Sequence, residues 1–367
     1  MDAIYSDFQK NHKQSSELPK GFVVANDADA SRCYVLSKRC STALKERSVS
    51  LIVTCHNARR FPNVQAPLNR CPKQGVFMTP GPYDRIICDV PCSGDGTIRK
   101  DFKVFKVWHP GYGISLHPLQ LQIAMRGVSL LKVGGLMTYS TCSFNPIENE
   151  AVVYELLKRY QGSLELVDPE PILKESKLVW REGWDTWSVV NDDFLRYESF
   201  MDSQKDNLKF YPSMWPSSDS DAHEQFRAKL KYCVRMCPQD NDTGGFFIAL
   251  LKKTSELKKP AWMSVSLQKK STTQVTPVED CHRFRPVPSS RAKGCKIRND
   301  TSLYSRSASF KRCFSISQSL ADHAFDSKGS NKFNIVSAGY DAKFYRGECQ
   351  AIMSICTPGL GSSCLFP

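Results

Sequence analysis

The chain has 367 residues, 41% of them hydrophobic and 24% charged, which is ordinary for a globular protein able to bury a sizeable core. A net charge of +13 and a pI near 9.0 favour a polyanionic partner, and no apolar run approaches the roughly 20 residues of a membrane-spanning helix. Fifteen cysteines are scattered without a disulfide framework, a CxxC pair or a Cys/His quartet at zinc spacing, so reduced, intracellular thiols and no metal are expected.

Residues 1–18 are polar and lack periodicity. Phe22–Asp27 reads as a strand running into Asn26-Asp27, and an acid at the end of such a strand can accept hydrogen bonds from both hydroxyls of a ribose. Asp29 reads as the cap of the next helix, Ser31–Leu44. Leu51–Thr54 is a third apolar segment with strand character, followed by Asn57 and by Arg59-Arg60, which read as a solvated loop. Phe61–Pro82, rich in Pro, Asn and Gly, also reads as a loop.

Tyr83–Lys100, YDRIICDVPCSGDGTIRK, is the stretch around which the rest of the chain is organised. A short buried strand, Arg85–Cys88, ends in Asp89, Pro91, Cys92, Gly94 and Gly96, placing a carboxylate and a thiol where open α/β sheets hold their ligands. Thr97–His109 interleaves Arg99, Lys100, Lys103 and Lys106 with Phe102, Phe105 and Trp108. This suits phosphate contact with base stacking, and it equally suits an amphipathic helix with its aromatics in the core. Leu116–Leu131 has helical spacing, Gly134-Gly135 reads as a turn, and Leu136–Ser143 repeats the strand, ending in Cys142. The right-handed crossover of such a unit makes its strands parallel, so both cysteines are expected on one edge of the sheet.

Asn145–Tyr160 reads as a helix, with Glu148 and Glu150 in its first turns and Lys158-Arg159 at its end, all suited to its dipole. Leu164–Val167 is a further strand, and Ile172–Phe200 an irregular insertion whose Trp180, Trp184 and Trp187 suit stacking on RNA or, as is commoner in such segments, burial. Arg227–Pro238 reads as a short basic helix or strand. Its Cys233 and Cys237, four apart on a helix face, read as small buried residues. Gly244–Lys252 is the last strand. Beyond about Ser255 the composition turns basic and polar, which argues for a disordered tail.

Asp89–Lys100 (DVPCSGDGTIRK) and Ser140–Val152 (STCSFNPIENEAV), with Phe22–Leu36 and Asp240–Leu251, resemble the motifs of the Sun-type RNA cytosine-5 methyltransferases, most closely those that methylate tRNA. The resemblance covers roughly Pro19 to Lys253. It implies an α/β fold: the Rossmann-like sheet of a class I methyltransferase dependent on S-adenosylmethionine (SAM), with flanking helices. The first strand and its Gly-rich loop are expected to be missing. The implied layout is a polar segment 1–18, a partial catalytic domain 19–253 and a basic tail 254–367.

The resemblance also implies roles. Cys142 of the TCS motif is the nucleophile that adds to cytosine C6, Cys92 serves product release, and Asp89 bonds the cytosine edge. SAM is the cofactor, bound by Asp27 at its ribose, by Asn57 where the family has an Asp near the adenine amino group, and by Asp89. Arg99 and Lys100 contact RNA, with tRNA as the partner. A TCS cysteine in addition to the PC cysteine favours RNA over DNA. A monomer in the nucleus, nucleolus included, is expected, with the cytoplasm as the alternative. Two other readings stay open: an inactive truncated relative that binds RNA, and an incomplete gene model of an active enzyme. Cys142 must be activated by its surroundings, and the sequence does not identify the activating group.

Overall fold

The computed structural model describes residues 21–44, 50–62, 81–216 and 221–257, with five short strands beyond them. The chain divides into two compact units, 1–85 with 268–367, and 86–267. Residues 1–20, most of the 61–82 loop and most of the tail lie outside the described residues.

In the first unit, β1 (Val23–Asp27) is buried along its whole length and pairs parallel with β2 (Leu51–Cys55), from Val23↔Leu51 to Asp27↔Cys55. The connecting helix α1 (Ala30–Leu44) packs Cys33 and Leu36 against Val23, Ala25, Leu51 and Val53. Asp29 caps it as expected, accepting from the Arg32 amide at 2.8 Å. The tail, read from composition as disordered, is recorded in part as strand. Ile335–Ala338 runs antiparallel to β2 and Met353–Cys356 antiparallel to β1, while Arg285–Pro286, Thr301–Ser305 and Cys313–Ser317 form a small sheet of their own.

The second unit takes the end of β3 (Tyr83–Asp89), then α2 (Phe102–Val107), α3 (Pro110–Leu130), β4 (Leu131–Thr141), α4 (Glu150–Arg159), β5 (Leu164–Leu166), β6 (Arg181–Glu182), β7 (Val189–Val190), β8 (Arg196–Tyr197), β9 (Val234–Met236) and β10 (Phe246–Lys253). Its sheet runs β3-β4-β10-β9-β6, with β5 on the far half of β10 and β7-β8 a separate hairpin. Strand β10 is antiparallel to β4, from Phe247↔Thr141 to Lys252↔Leu136. Alternation along β4 buries Met137 and Tyr139, and α3 approaches closely at Gly127, where a Cβ would stand 2.6 Å from the Met137 sulfur. No helix among the described residues is long and apolar enough to cross a membrane.

Several expected boundaries move. Helix α3 begins at Pro110 rather than Leu116, because Asp192 accepts from the Gly111 amide (2.6 Å) and contacts His109 Nδ1 (2.8 Å), fixing the helix start. It runs directly into β4. The Leu131 carbonyl is bonded by the buried Lys253 ammonium (2.8 Å), and Gly134-Gly135 lies inside the strand instead of forming a turn. Helix α4 begins at Glu150 rather than Asn145, since Glu148 and Asn149 turn their side chains toward the β4 exit. Cys233 and Cys237 flank β9 and share no helix face, although Cys233 is buried as expected. Of the tryptophans, Trp187 packs on Ile114, Ile147, Val189, Phe210 and Met214, whereas Trp184 is half exposed.

His117 on α3 is fully buried between the Ile147 carbonyl (2.7 Å) and Ser213 Oγ (2.8 Å), and burial pushes its pKa down to about 4. The folded chain keeps the ring neutral while the unfolded chain takes a proton near 6.5. Stability is therefore full above pH 6.5 and falls by about 3 kcal/mol as pH drops to 4. Thermal melts across this range are expected to show that fall, and His117→Asn is expected to melt lower at pH 7.5 but with a shallower acid dependence.

Candidate active site

The site forms where β3 and β4 end. Val90 N–H bonds the Ser140 carbonyl (3.1 Å) and Ser140 Oγ donates to Asp89 Oδ1 (3.0 Å), so the two strands reach the same edge together, as a parallel pair does. Just beyond, Cys92 Sγ and Cys142 Sγ lie 3.2 Å apart, both half-buried, while Asp89 is exposed. The structure thus brings together three expected residues: Asp89, Cys92 and Cys142.

Glycine makes the approach of these loops possible. Gly94 adopts φ +75°, a left-handed conformation that L side chains rarely take. Gly96 donates to the Cys142 carbonyl (2.9 Å), and its own carbonyl accepts from Gly245 N–H (2.7 Å). A Cβ on Gly96 would stand 2.7 Å from the Cys142 carbonyl oxygen, and one on Gly245 would overlap the Phe144 ring. The exit of β3, the exit of β4 and the entry of β10 are thereby stitched into one backbone cluster.

Beneath them lies a group whose place in the sequence suggested only a helix dipole. Glu148 is fully buried and its carboxylate takes four hydrogen bonds: Oε1 from Ser93 Oγ (2.5 Å) and Ser143 Oγ (2.8 Å), Oε2 from Ser93 N–H (2.8 Å) and Gln120 Nε2 (2.9 Å). Asn149 bridges Thr141 Oγ1 (2.6 Å) and the Ser143 carbonyl (2.8 Å), and Asp95 accepts from the Phe144 amide (2.9 Å). Glu150 is likewise not a dipole partner. It is buried against Arg235, which also donates to the Phe144 carbonyl (3.0 Å) and lies 4.0 Å over the Trp184 ring. The signal present in the sequence was the position of Glu148, Asn149 and Glu150 directly after the second cysteine motif.

The two thiols are inequivalent. The hydrogen bond from Cys92 brings the Cys142 thiol below its ordinary range, against burial and the nearby Asp89 and Asp95. Cys92 is driven the other way by the same hydrogen bond, then by burial, by Cys142 and by Glu148. Of the two, Cys142 is therefore the thiol that ionises more readily. Burial raises Glu148, opposed by its hydrogen bonds from Ser93, Ser143 and Gln120.

Arg99 and Lys100 lie just after the Gly96 turn. The Arg99 guanidinium is engaged by Asp242 (2.6 Å) and by the Thr243 and Pro238 carbonyls, while Lys100 is exposed. Phe102 and Phe105 are 62% and 61% exposed, stack on each other at 5.4 Å and 22°, and carry Lys106 5.7 Å over the Phe102 ring. The reading that buries these two aromatics is thereby overturned, because α2 is too short to lay an apolar face on the sheet.

Asp27 and Asn57 belong to the first unit. Asp27 Oδ1 accepts from the Asp29 amide (2.9 Å) and Oδ2 pairs with Arg32 (3.1 Å). Asn57 Oδ1 accepts from Arg59 N–H (3.1 Å) and Nε (3.4 Å), capping the turn Ala58–Arg60, so Arg59 is held by Asn57 rather than fully solvated. Among the described residues no group of three or more His, Cys, Asp or Glu is arranged to hold a metal ion.

The two thiols thus meet at the edge where β3 and β4 end, with the Asp89 carboxylate beside them. Among known proteins, residues 14–177 match the family described as 16S rRNA methyltransferase RsmB/F. The chain is 39% identical over 243 residues to the multisite-specific tRNA:(cytosine-C(5))-methyltransferase trm4b of Schizosaccharomyces pombe, covering 65% of this chain and 34% of that protein. It is 38% identical over 248 residues to the tRNA (cytosine(34)-C(5))-methyltransferase of Drosophila melanogaster, covering 66% and 31%. It is also 38% identical over 255 residues to the multisite-specific tRNA:(cytosine-C(5))-methyltransferase of Saccharomyces cerevisiae, covering 70% and 34%. The chain spans about a third of the length of these curated relatives.

Gly245→Ala forces its new methyl group into the Phe144 ring and is expected to cost at least ~1–3 kcal/mol. Chemical denaturation measures the loss, and cysteine alkylation with peptide mapping is expected to show faster modification of Cys142.

Proposed function

We propose that this chain transfers a methyl group from SAM to C5 of a cytosine in RNA, with tRNA the substrate class, through a covalent Cys142–C6 adduct. The observation that carries this reading is the 3.2 Å approach of Cys142 and Cys92 beside the exposed carboxylate of Asp89. Cytosine C5 is too weak a nucleophile to take a methyl group unaided. The Cys142 thiolate would supply an electron pair to C6, so that C5 could take the methyl group as its bond to the sulfonium sulfur breaks and that sulfur leaves as a neutral thioether. Transfer of the C5 proton to water would then re-form the C5–C6 double bond and return the S–C6 electrons to Cys142. Asp89, fixed by Ser140, accepts hydrogen bonds from the cytosine edge, and Cys92 stands beside the adduct sulfur for the release step.

The cofactor supplies an electrophilic methyl group when bound. The first unit offers residues that fit it. Asp27 has two of its roughly four acceptor sites taken, leaving room for ribose hydroxyls. The Asn57 oxygen is occupied by Arg59, so Asn57 would offer its amide N–H groups to an adenine ring nitrogen rather than accept from the amino group. RNA binding without turnover is the second reading, and the occupied Asn57 oxygen favours it. Lys100, Lys106 and the exposed Phe102–Phe105 stack suit phosphate contact and base stacking in either case.

RNA containing 5-azacytidine tests the chemistry. Wild type is expected to be captured as a band stable on denaturing gels and Cys142→Ala to give none, while Cys92→Ala should accumulate adducts even on ordinary RNA. Equal capture by wild type and Cys142→Ala would remove the assignment. Replacing Phe102 and Phe105 together by Ala is expected to weaken RNA binding ten- to a hundredfold in a filter or anisotropy assay, given about 1–3 kcal/mol per stacked base, with SAM binding unchanged.

A further inference from the structure

We propose that Cys92 and Cys142 are an oxidative modification site: a hydroperoxide joins them in a reversible disulfide that closes the site, leaves its scaffold intact and shields Cys142 from irreversible oxidation. The two sulfurs lie 3.2 Å apart although 50 residues separate them in the chain. A disulfide holds its sulfurs about 2 Å apart, so an approach of about 1 Å completes the bond. The fold has already closed the loop between them, which removes the entropic barrier that two cysteines in a flexible chain must cross.

The surrounding contacts hold the pair together without using either sulfur. Each cysteine is followed by a serine bound to Glu148: Ser93 through its hydroxyl (2.5 Å) and amide (2.8 Å), and Ser143 through its hydroxyl (2.8 Å). Gln120 donates to the Pro91 carbonyl (2.9 Å), and Gly96 N–H donates to the Cys142 carbonyl (2.9 Å). All of these bonds can persist when the sulfurs join. Both thiols are half-buried at the edge where Asp89 is exposed, which gives a small oxidant access. Cys33, Cys88 and Cys233 are fully buried, and the Cys33 thiol meets the Thr54 carbonyl (3.3 Å).

Hydrogen peroxide supplies the oxidising equivalents. One sulfur, as thiolate, attacks a peroxide oxygen. An S–O bond forms, the O–O bond breaks and hydroxide leaves, giving a sulfenic acid. The second sulfur then attacks the first, the S–S bond forms, the S–O bond breaks and a second hydroxide leaves. The two thiol protons convert the two hydroxides to water, whichever thiol attacks first. A dithiol reverses the change by exchange. The joined sulfurs offer no thiolate to cytosine C6. That consequence rests on the function proposed above, whereas formation of the bond does not.

The full chain is reduced, treated with excess hydrogen peroxide, alkylated with iodoacetamide and mapped as peptides without reductant. A peptide pair joining Cys92 to Cys142 is expected, with loss of 5-azacytidine RNA capture in proportion to the linkage. Dithiothreitol is expected to restore both thiols and the capture. In Cys92→Ser the same treatment is expected to carry Cys142 to sulfinic acid, which dithiothreitol does not return to the thiol.

Both cysteines recovered from wild type as sulfinic acids, or linked to other cysteines, overturns the proposal. So does a Cys142 thiol regained as fully in Cys92→Ser as in wild type, or a linked chain that still captures RNA. Linkage in a chain whose reduced form captures no RNA leaves this inference standing and removes the methyltransferase reading. Capture without any linkage does the reverse.

Discussion

A carboxylate fully removed from water is the constraint on which this site turns. Burying a charge costs several kcal/mol unless its lone pairs are met, and Glu148 is met four times, by groups from the β3 exit, the β4 exit and α3. The requirement is reciprocal. The carboxylate is tolerable only if the two cysteine loops are where they are, and the loops are held there because the carboxylate needs them. Three of the four bonds come from Ser93 and Ser143, the residues after Cys92 and Cys142, so the same contact holds both thiol-bearing loops.

A second constraint is steric. Gly96 and Gly245 let three backbone segments meet at distances that no side chain would permit. Arg235 adds a third tie by pairing with Glu150 beneath Trp184 and donating to the Phe144 carbonyl, two residues after Cys142. Buried ion pairs contribute little net stability, and the role of this one is best read as fixing the geometry of the β4 exit. Together these contacts explain how two thiols, each on a loop, are kept at 3.2 Å without a covalent link.

The unequal thiols link this packing to the proposed reaction. A free cysteine is mostly protonated near neutral pH and attacks poorly. Here the two thiols lie 3.2 Å apart, and their hydrogen bond brings Cys142 below its ordinary range while Cys92 is raised. Asp89 stays exposed at the same edge, while the stacked Phe102 and Phe105 present an aromatic surface on α2. In the first unit Asp27 keeps acceptor capacity at the end of β1, which is the position a ribose-binding acid requires.

Much of this was legible in one dimension. The apolar runs at β1, β2, β3 and β4, the helical spacing of α3, and the two cysteines at strand ends all follow from local pattern, because buried strands and helices place apolar residues at their own periods and a parallel pair brings both exits to one edge. What local pattern could not carry was the partner of each polar side chain. Glu148 and Glu150 look like favourable acids at a helix start, and Phe102 and Phe105 suit a core face and a stacking surface equally, until the sheet and α3 determine which of them meets water. The sequence by itself determined the strand-end chemistry of Asp89, Cys92 and Cys142. Only the tertiary structure decided that the two thiols meet at 3.2 Å above a buried carboxylate, because that depends on groups brought together from the β3 exit, the β4 exit and α3.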